Sequence, residues 1–138
     1  MAFANPPDAV IREILASPRT IAVVGCSPDP GRDSNHIARL LIARGHRVIP
    51  VNPRSEEILG RPSFPSLRSV PEPVEMVDVF RRSEEVASVA SDAIDIGARI
   101  LWLQLGVIDA DAAERARAAG LTVVMDRCPA IEYRRLFA

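Results

Sequence analysis

Two hydrophobic patterns alternate along this chain, and their succession sets the expected architecture. Short runs of consecutive apolar, often β-branched residues recur at Thr20–Gly25, Arg47–Val51, Glu75–Phe80, Arg99–Gln104 and Leu121–Met125. Uninterrupted runs of this length are typical of parallel strands buried on both faces. Between them lie segments with apolar residues at helical spacing. Pro6–Ala16 opens on prolines and Asp8, carries Val10, Ile11, Ile14 and Leu15 on one face, and ends at Ser17-Pro18. Ser34–Arg44 sets Ile37, Leu40 and Leu41 on one face and stops at Gly45. Ser83–Ile96 is expected to take Ser83 as its N-cap, and Asp109–Ala119 to be capped by Asp109. Ala130–Phe137 reads as a short final helix. Arg54–Val74, rich in Pro and Ser, reads as an irregular connection with an edge segment near Phe64.

Strand and helix alternate five times, which specifies parallel strands joined by right-handed crossovers. The expected fold is one α/β domain over residues 1–138. It is a Rossmann-like, doubly wound five-stranded parallel sheet with helices on both faces and strand order 3-2-1-4-5. Pro50 lacks an N–H to give a ladder, so it belongs at a strand end or beside a weakly paired neighbour. Ligands of such sheets bind beyond the carboxyl ends of the strands, where strand order reverses. The expected order puts that point between the first and fourth strands. Trp102, within the fourth strand, is expected in the core.

Composition narrows the chemistry. The charged residues nearly cancel to a formal −1 and are interspersed, which gives no electrostatic footprint for nucleic acid or anionic lipid. No stretch is long and apolar enough for a membrane span, and the N-terminus does not resemble a secretory signal. Cys26 and Cys128 form neither a disulfide framework nor a zinc motif, so a reducing cytoplasm is the expected compartment. All 17 basic residues are arginine. The chain itself therefore supplies no Walker lysine, Schiff base or Tyr–Lys dehydrogenase pair.

The loops after the strands carry the candidate chemistry. The first reads Gly25-Cys-Ser-Pro-Asp-Pro-Gly-Arg-Asp-Ser34 and runs into a helix. Gly25 allows a sharp turn, Ser27, Ser34 and the helix-start N–H groups can donate to an anion, and Arg32 can clasp a phosphate. The same residues also make an ordinary turn. The loop is not the dinucleotide fingerprint, because glycines at 25 and 31 do not fit G-x-G-x-x-G. After the second strand, Asn52-Pro53-Arg54 replaces the carboxylate usual in NAD sites with an arginine. That change favours a ribose bearing a phosphate, as in NADP or coenzyme A; a solvated surface Arg54 is the plain alternative. Phe80-Arg81-Arg82 places a ring and two guanidiniums after the third strand, and Gln104-Leu105-Gly106 follows the fourth.

The runs IAVVGCSPDPGR, VIPVNP, VDVFR, WLQLGV and VVMDRCPAIE, in this order and spacing, resemble the small stand-alone coenzyme A-binding proteins of the YccU-like family. Those in turn resemble the N-terminal domain of the succinyl-CoA synthetase α subunit. The likeness extends from Thr20 to the C-terminus. It implies a phosphate cradle of Gly25, Cys26, Ser27, Pro28, Arg32 and Ser34, with Asn52, Pro53 and Arg54 at the adenosine end. Phe80 and Arg81 would line the cofactor's path, and Gln104, Cys128 and Pro129 its inner end. Relatives often have Arg-Pro-Ser where this chain has Arg32-Asp33-Ser34, so Asp33 brings a negative charge towards the phosphate. His36 and His46 match no catalytic histidine of the synthetases.

The expected function is to hold coenzyme A or a short acyl-CoA without transforming it, as a carrier, a sensor or the partner of an unidentified protein. No catalytic or metal-ligating residue is expected. Two alternatives stay open. An NADP-dependent oxidoreductase would need a proton donor near Gln104 or Asp126. A redox role would need Cys26 or Cys128 to form a mixed disulfide with coenzyme A; two small buried side chains are the plainer reading of those cysteines.

Overall fold

The computed structural model describes residues 3–137. Helix α1 (Asp8–Ala16) leads into β1 (Thr20–Val24), α2 (Asp33–Ala43) and β2 (Arg47–Val51). A two-residue-per-strand antiparallel hairpin follows, β3 (Glu57–Ile58) with β4 (Arg61–Pro62). Then come β5 (Met76–Val79), α3 (Val86–Asp95), β6 (Ile100–Leu103), α4 (Ala110–Ala118), β7 (Thr122–Val124) and α5 (Pro129–Leu136). All five long apolar runs are strands of one parallel sheet.

The strand order is β2-β1-β5-β6-β7. In the numbering of the five apolar runs this is 2-1-3-4-5, not the expected 3-2-1-4-5. The third run crosses to the far side of β1 instead of extending beyond β2. The outer edge of β2 is taken by Phe64: its N–H donates to the Pro50 carbonyl at 3.1 Å, and its carbonyl accepts from Asn52 N–H at 2.9 Å. Alternate residues of a strand point their amides to opposite sides. Arg47 N–H faces β1, by its bond to Arg19 O. Pro50 therefore presents its missing donor to the outer edge, which could not carry a full neighbouring ladder. The order reverses between β1 and β5, so the binding crevice moves there.

Successive strand residues alternate between two buried layers. Ala22, Val24, Val77, Val79, Leu101 and Leu103 face α3 and α4, where Ala90, Ala93, Ala112, Ala113 and Ala116 let the helices approach closely. Ile21, Val23, Met76, Ile100 and Trp102 face α1, α2 and α5. Helices thus cover both faces, and Trp102 lies fully buried as expected, its indole N–H donating to Arg127 O at 2.9 Å. Burial of such side chains contributes about 1.5–3 kcal/mol each relative to exposure.

Polar pins join the layers. Asp109 caps α4 by accepting from Ala112 N–H at 3.0 Å, as expected. Ser83 does not cap α3: the chain takes a 3-10 turn over Ser83–Glu85, and Ser83 Oγ accepts from Ile108 N–H at 2.9 Å. It ties the start of α3 to the loop after β6. His46, at the entry to β2, accepts from Arg19 N–H through Nδ1 at 3.0 Å. That fixes the proton on Nε2, which lies 2.8 Å from Tyr133 Oη, while the tyrosine donates to Leu15 O at 3.0 Å. Burial, then the Arg19 charge, holds the imidazole below its ordinary pKa. His46 is a neutral pin between β2, α5 and the end of α1.

Candidate functional site along the sheet's carboxyl edge

Strand β1 ends on Gly25, whose N–H donates to Val51 O at 2.9 Å. Its φ of +86° is a left-handed conformation, and a Cβ there would stand 2.3 Å from the Phe80 carbonyl oxygen. The β1 and β5 turns therefore touch backbone to backbone at the crevice, and only glycine permits the contact. Phe80 N–H completes it by donating to Val24 O at 2.8 Å.

The following loop is held by its own polar side chains. Ser34 Oγ accepts from Ser27 N–H at 2.9 Å, and Ser27 Oγ accepts from Asp29 N–H at 3.0 Å. Asp29 Oδ1 accepts from Gly31 N–H at 2.8 Å, and Asn35 donates to Ser27 O at 2.9 Å. Both serine hydroxyls keep a proton free to donate. Helix α2 starts at Asp33, so its first N–H groups lack intrahelical partners and point out of the helix start with the positive end of its dipole.

Gly25, Ser27, Arg32, Asp33, Ser34 and Phe80 line a concavity of about 310 Å³. Asp33 does reach this cleft. A second cleft of about 510 Å³, bounded by Val51, Pro53, Ser66, Arg81 and Val89 among others, opens beside the end of β2. A third, of about 540 Å³, runs between α2, α5 and the loop after β6, and includes Phe80, Arg81, Gln104 and Cys128. Phe80 and Asp33 border both the first and the third, and Arg81 borders both the second and the third. The three meet at Phe80-Arg81 along the reversal between β1 and β5. Arg32, Arg54 and Arg81 form no ion pair among the described residues.

Gly25, Ser27, Arg32, Ser34, Pro53, Phe80, Arg81, Gln104 and Cys128 are thus brought to these clefts. Cys26, Pro28, Asn52, Arg54 and Pro129 line none of them. Cys26 is fully buried beneath the loop, and burial together with the Asp78 carboxyl pushes its thiol up to about 11. Asn52 donates to Cys26 O at 2.8 Å and accepts from Arg54 N–H at 2.8 Å. The position needs both a donor and an acceptor, which a carboxylate cannot supply. Pro28 and Arg54 are exposed, and Pro129 is the buried first residue of α5.

One buried titratable group escaped the sequence reading. Asp78 sits in the middle of β5, fully buried, and desolvation raises its carboxyl well above the ordinary value. With its amide nitrogen turned to that carboxyl, Gln104 donates to Oδ1 at 2.8 Å and to Oδ2 at 3.2 Å. A lone acid inside the run Met-Val-Asp-Val was the available signal. Beyond Gln104, Asp126 takes φ +61° and accepts from Gly106 N–H at 2.7 Å, joining the loops after β6 and β7.

A parallel sheet reversing beside a glycine turn, with a helix start, two hydroxyls and an unpaired arginine around one concavity, defines a Rossmann-like α/β domain with a cleft chemically suited to an anion. Residues 19–134 match the family model described as CoA binding domain, and the chain belongs to that family. It is 39% identical over 124 residues to the uncharacterized protein YneT of Bacillus subtilis, covering 90% of this chain and 92% of that one. A hypothetical protein from Pyrococcus horikoshii has the same fold, with a TM-score of 0.91 and 38% identity across the whole of both chains. A 64-residue stretch is 41% identical to acetate–CoA ligase [ADP-forming] I of Archaeoglobus fulgidus, covering 46% of this chain and 9% of the ligase. Among the described residues no helix is long and apolar enough to cross a membrane.

Proposed function

We propose that this protein binds coenzyme A along the carboxyl edge of its sheet and acts as a non-catalytic carrier, sensor or partner module. The observation that carries the reading is the Gly25–Phe80 backbone contact. A Cβ at Gly25 would collide with the Phe80 carbonyl, so glycine holds the two turns together beside the concavity where the three clefts meet. The diphosphate lies against the Gly25–Ser34 loop, with Ser27, Ser34 and the α2 start donating and Arg32 supplying charge. The adenosine end lies towards Pro53 and Arg54, and the pantetheine arm follows Phe80 and Arg81 to Gln104 and Cys128. Family membership supports this ligand over other phosphates.

Calorimetry on protein freed of ligand tests it directly. Coenzyme A should bind at micromolar concentration or below. Arg32→Ala should weaken binding about ten- to a hundredfold, the worth of one hydrogen bond to a charged group. Absence of heat with coenzyme A and acyl-CoA species refutes the proposal. Arg54 would serve the 2′-phosphate of NADPH as well as a 3′-phosphoadenosine, so NADPH fluorescence is titrated alongside. Tight NADPH binding without coenzyme A binding reverses the assignment.

A further inference from the structure

We infer that the third cleft is an acyl-chain site, so that the preferred ligand is an acyl-CoA with an apolar acyl group several carbons long. The inference rests on the coenzyme A reading and extends it to the group the thiol carries. Large apolar side chains are exposed at three described positions: Leu105 at 59%, Ile108 at 50% and Ile131 at 41%. Scattered singly, such residues would need no explanation. These three are not scattered. Leu105 and Ile131 are walls of the same cleft, and Ile108 closes the same short loop as Leu105.

The rest of that wall continues the apolar surface inward, through the buried side chains of Ile37 and Val107 and the half-buried Ala130. The cleft begins at Phe80, which it shares with the phosphate cradle, and passes Gln104 and Cys128. A pantetheine thiol arriving there would have this apolar wall ahead of it. Of the charged residues that also border the cleft, Asp33, His36, Arg82 and Arg134 are exposed and can keep their charged ends in water, and the half-buried Arg81 stands at the end shared with the second cleft. A protein partner explains the patch less well. Three side chains around a concavity fall far short of the surface of roughly 800 Å² per partner that a stable association buries.

The test measures affinities of coenzyme A and of acetyl-, butyryl-, hexanoyl- and succinyl-CoA by calorimetry. Each fully buried methylene strengthens binding about fourfold. The cleft is open on one side, so hexanoyl-CoA should bind at least ~10-fold more tightly than acetyl-CoA. In the Leu105→Ser/Ile131→Ser double variant that ratio should fall towards one. Both side chains are exposed, so the fold does not depend on them. Binding of coenzyme A with no gain along the acyl series overturns the inference and leaves the cofactor assignment standing. Tighter binding of succinyl-CoA than of butyryl-CoA also overturns it, because a terminal carboxylate would then be read by Arg134. A change in sedimentation of the double variant with an unchanged hexanoyl-to-acetyl ratio overturns it too, in favour of a protein contact. Absence of any binding by the parent protein, coenzyme A included, falsifies the cofactor assignment itself.

Discussion

Placing a methyl group on Gly25 perturbs the sheet's switch point at a single atom, and the cost can be worked from the structure. The residue sits at φ +86°, and an alanine held there loses roughly 1–2 kcal/mol. Its Cβ would lie 2.3 Å from the Phe80 carbonyl oxygen, a backbone atom with no rotamer to change. Relief requires the β1 and β5 turns to part by most of an ångström. Two hydrogen bonds resist this: Gly25 N–H to Val51 O at 2.9 Å and Phe80 N–H to Val24 O at 2.8 Å. Losing one costs about 0.5–1.5 kcal/mol. Gly25→Ala should therefore destabilise the protein by about 1.5–3.5 kcal/mol. A domain of this kind has a total stability of about 5–15 kcal/mol, so the variant should still fold. Urea unfolding followed by the fluorescence of Trp102, fully buried and the sole tryptophan, should show a midpoint lowered by more than ~1 M. Coenzyme A affinity should fall with it, since the displaced β1 turn leads into the Ser27–Ser34 donors of the proposed phosphate site. A midpoint within about 0.3 M of the parent, with coenzyme A binding intact, would refute the reasoning.

Asp78→Asn removes a buried acid whose folded-state pKa is raised by burial from the usual 3.8. Above that value the unfolded chain releases a proton that the native state keeps. The parent's stability therefore declines by up to ~1.4 kcal/mol per pH unit until the folded pKa is reached. Denaturation measured from pH 3 to 8 should show the asparagine variant gaining on the parent above pH 4; parallel profiles would contradict the assignment. The two cysteines should differ under a thiol reagent at pH 8. Cys128 borders the third cleft and should react in the native protein, whereas Cys26, fully buried with its thiol near 11, should react only after unfolding. Prompt modification of both thiols would mean that the Gly25–Ser34 loop opens readily.

The contrast between the two cysteines shows where sequence reading stopped. Cys26 follows its strand by two residues and Cys128 by four, so both read as lying at the ligand edge. Side-chain direction depends on how the turn folds back, and there Asn52 donates to the Cys26 carbonyl while Ser34 accepts from the following Ser27 N–H, holding the turn over the buried layer. The concavity at the end of β1 was legible because its parts are local: a glycine, hydroxyls and a helix start within ten residues. The apolar third cleft was not, since Ile37, Leu105 and Ile131 lie on three separate elements that only packing brings together.

For the fold, alternation of buried runs with amphipathic segments was enough to establish a parallel α/β sheet with helices on both faces. Burial on two sides and the reach of a crossover leave few other solutions. Strand order is a different matter, because it depends on where a long connection lands. Residues 54–74 deliver Phe64 to the outer edge of β2, so the next strand pairs with β1 instead. Pro50 carried the hint, in that an inner strand needs a donor on both sides. The sequence alone therefore determined the kind of domain and the loop that borders its first cleft. Tertiary structure decided which strands meet, and with them where the clefts run and which side chains line them.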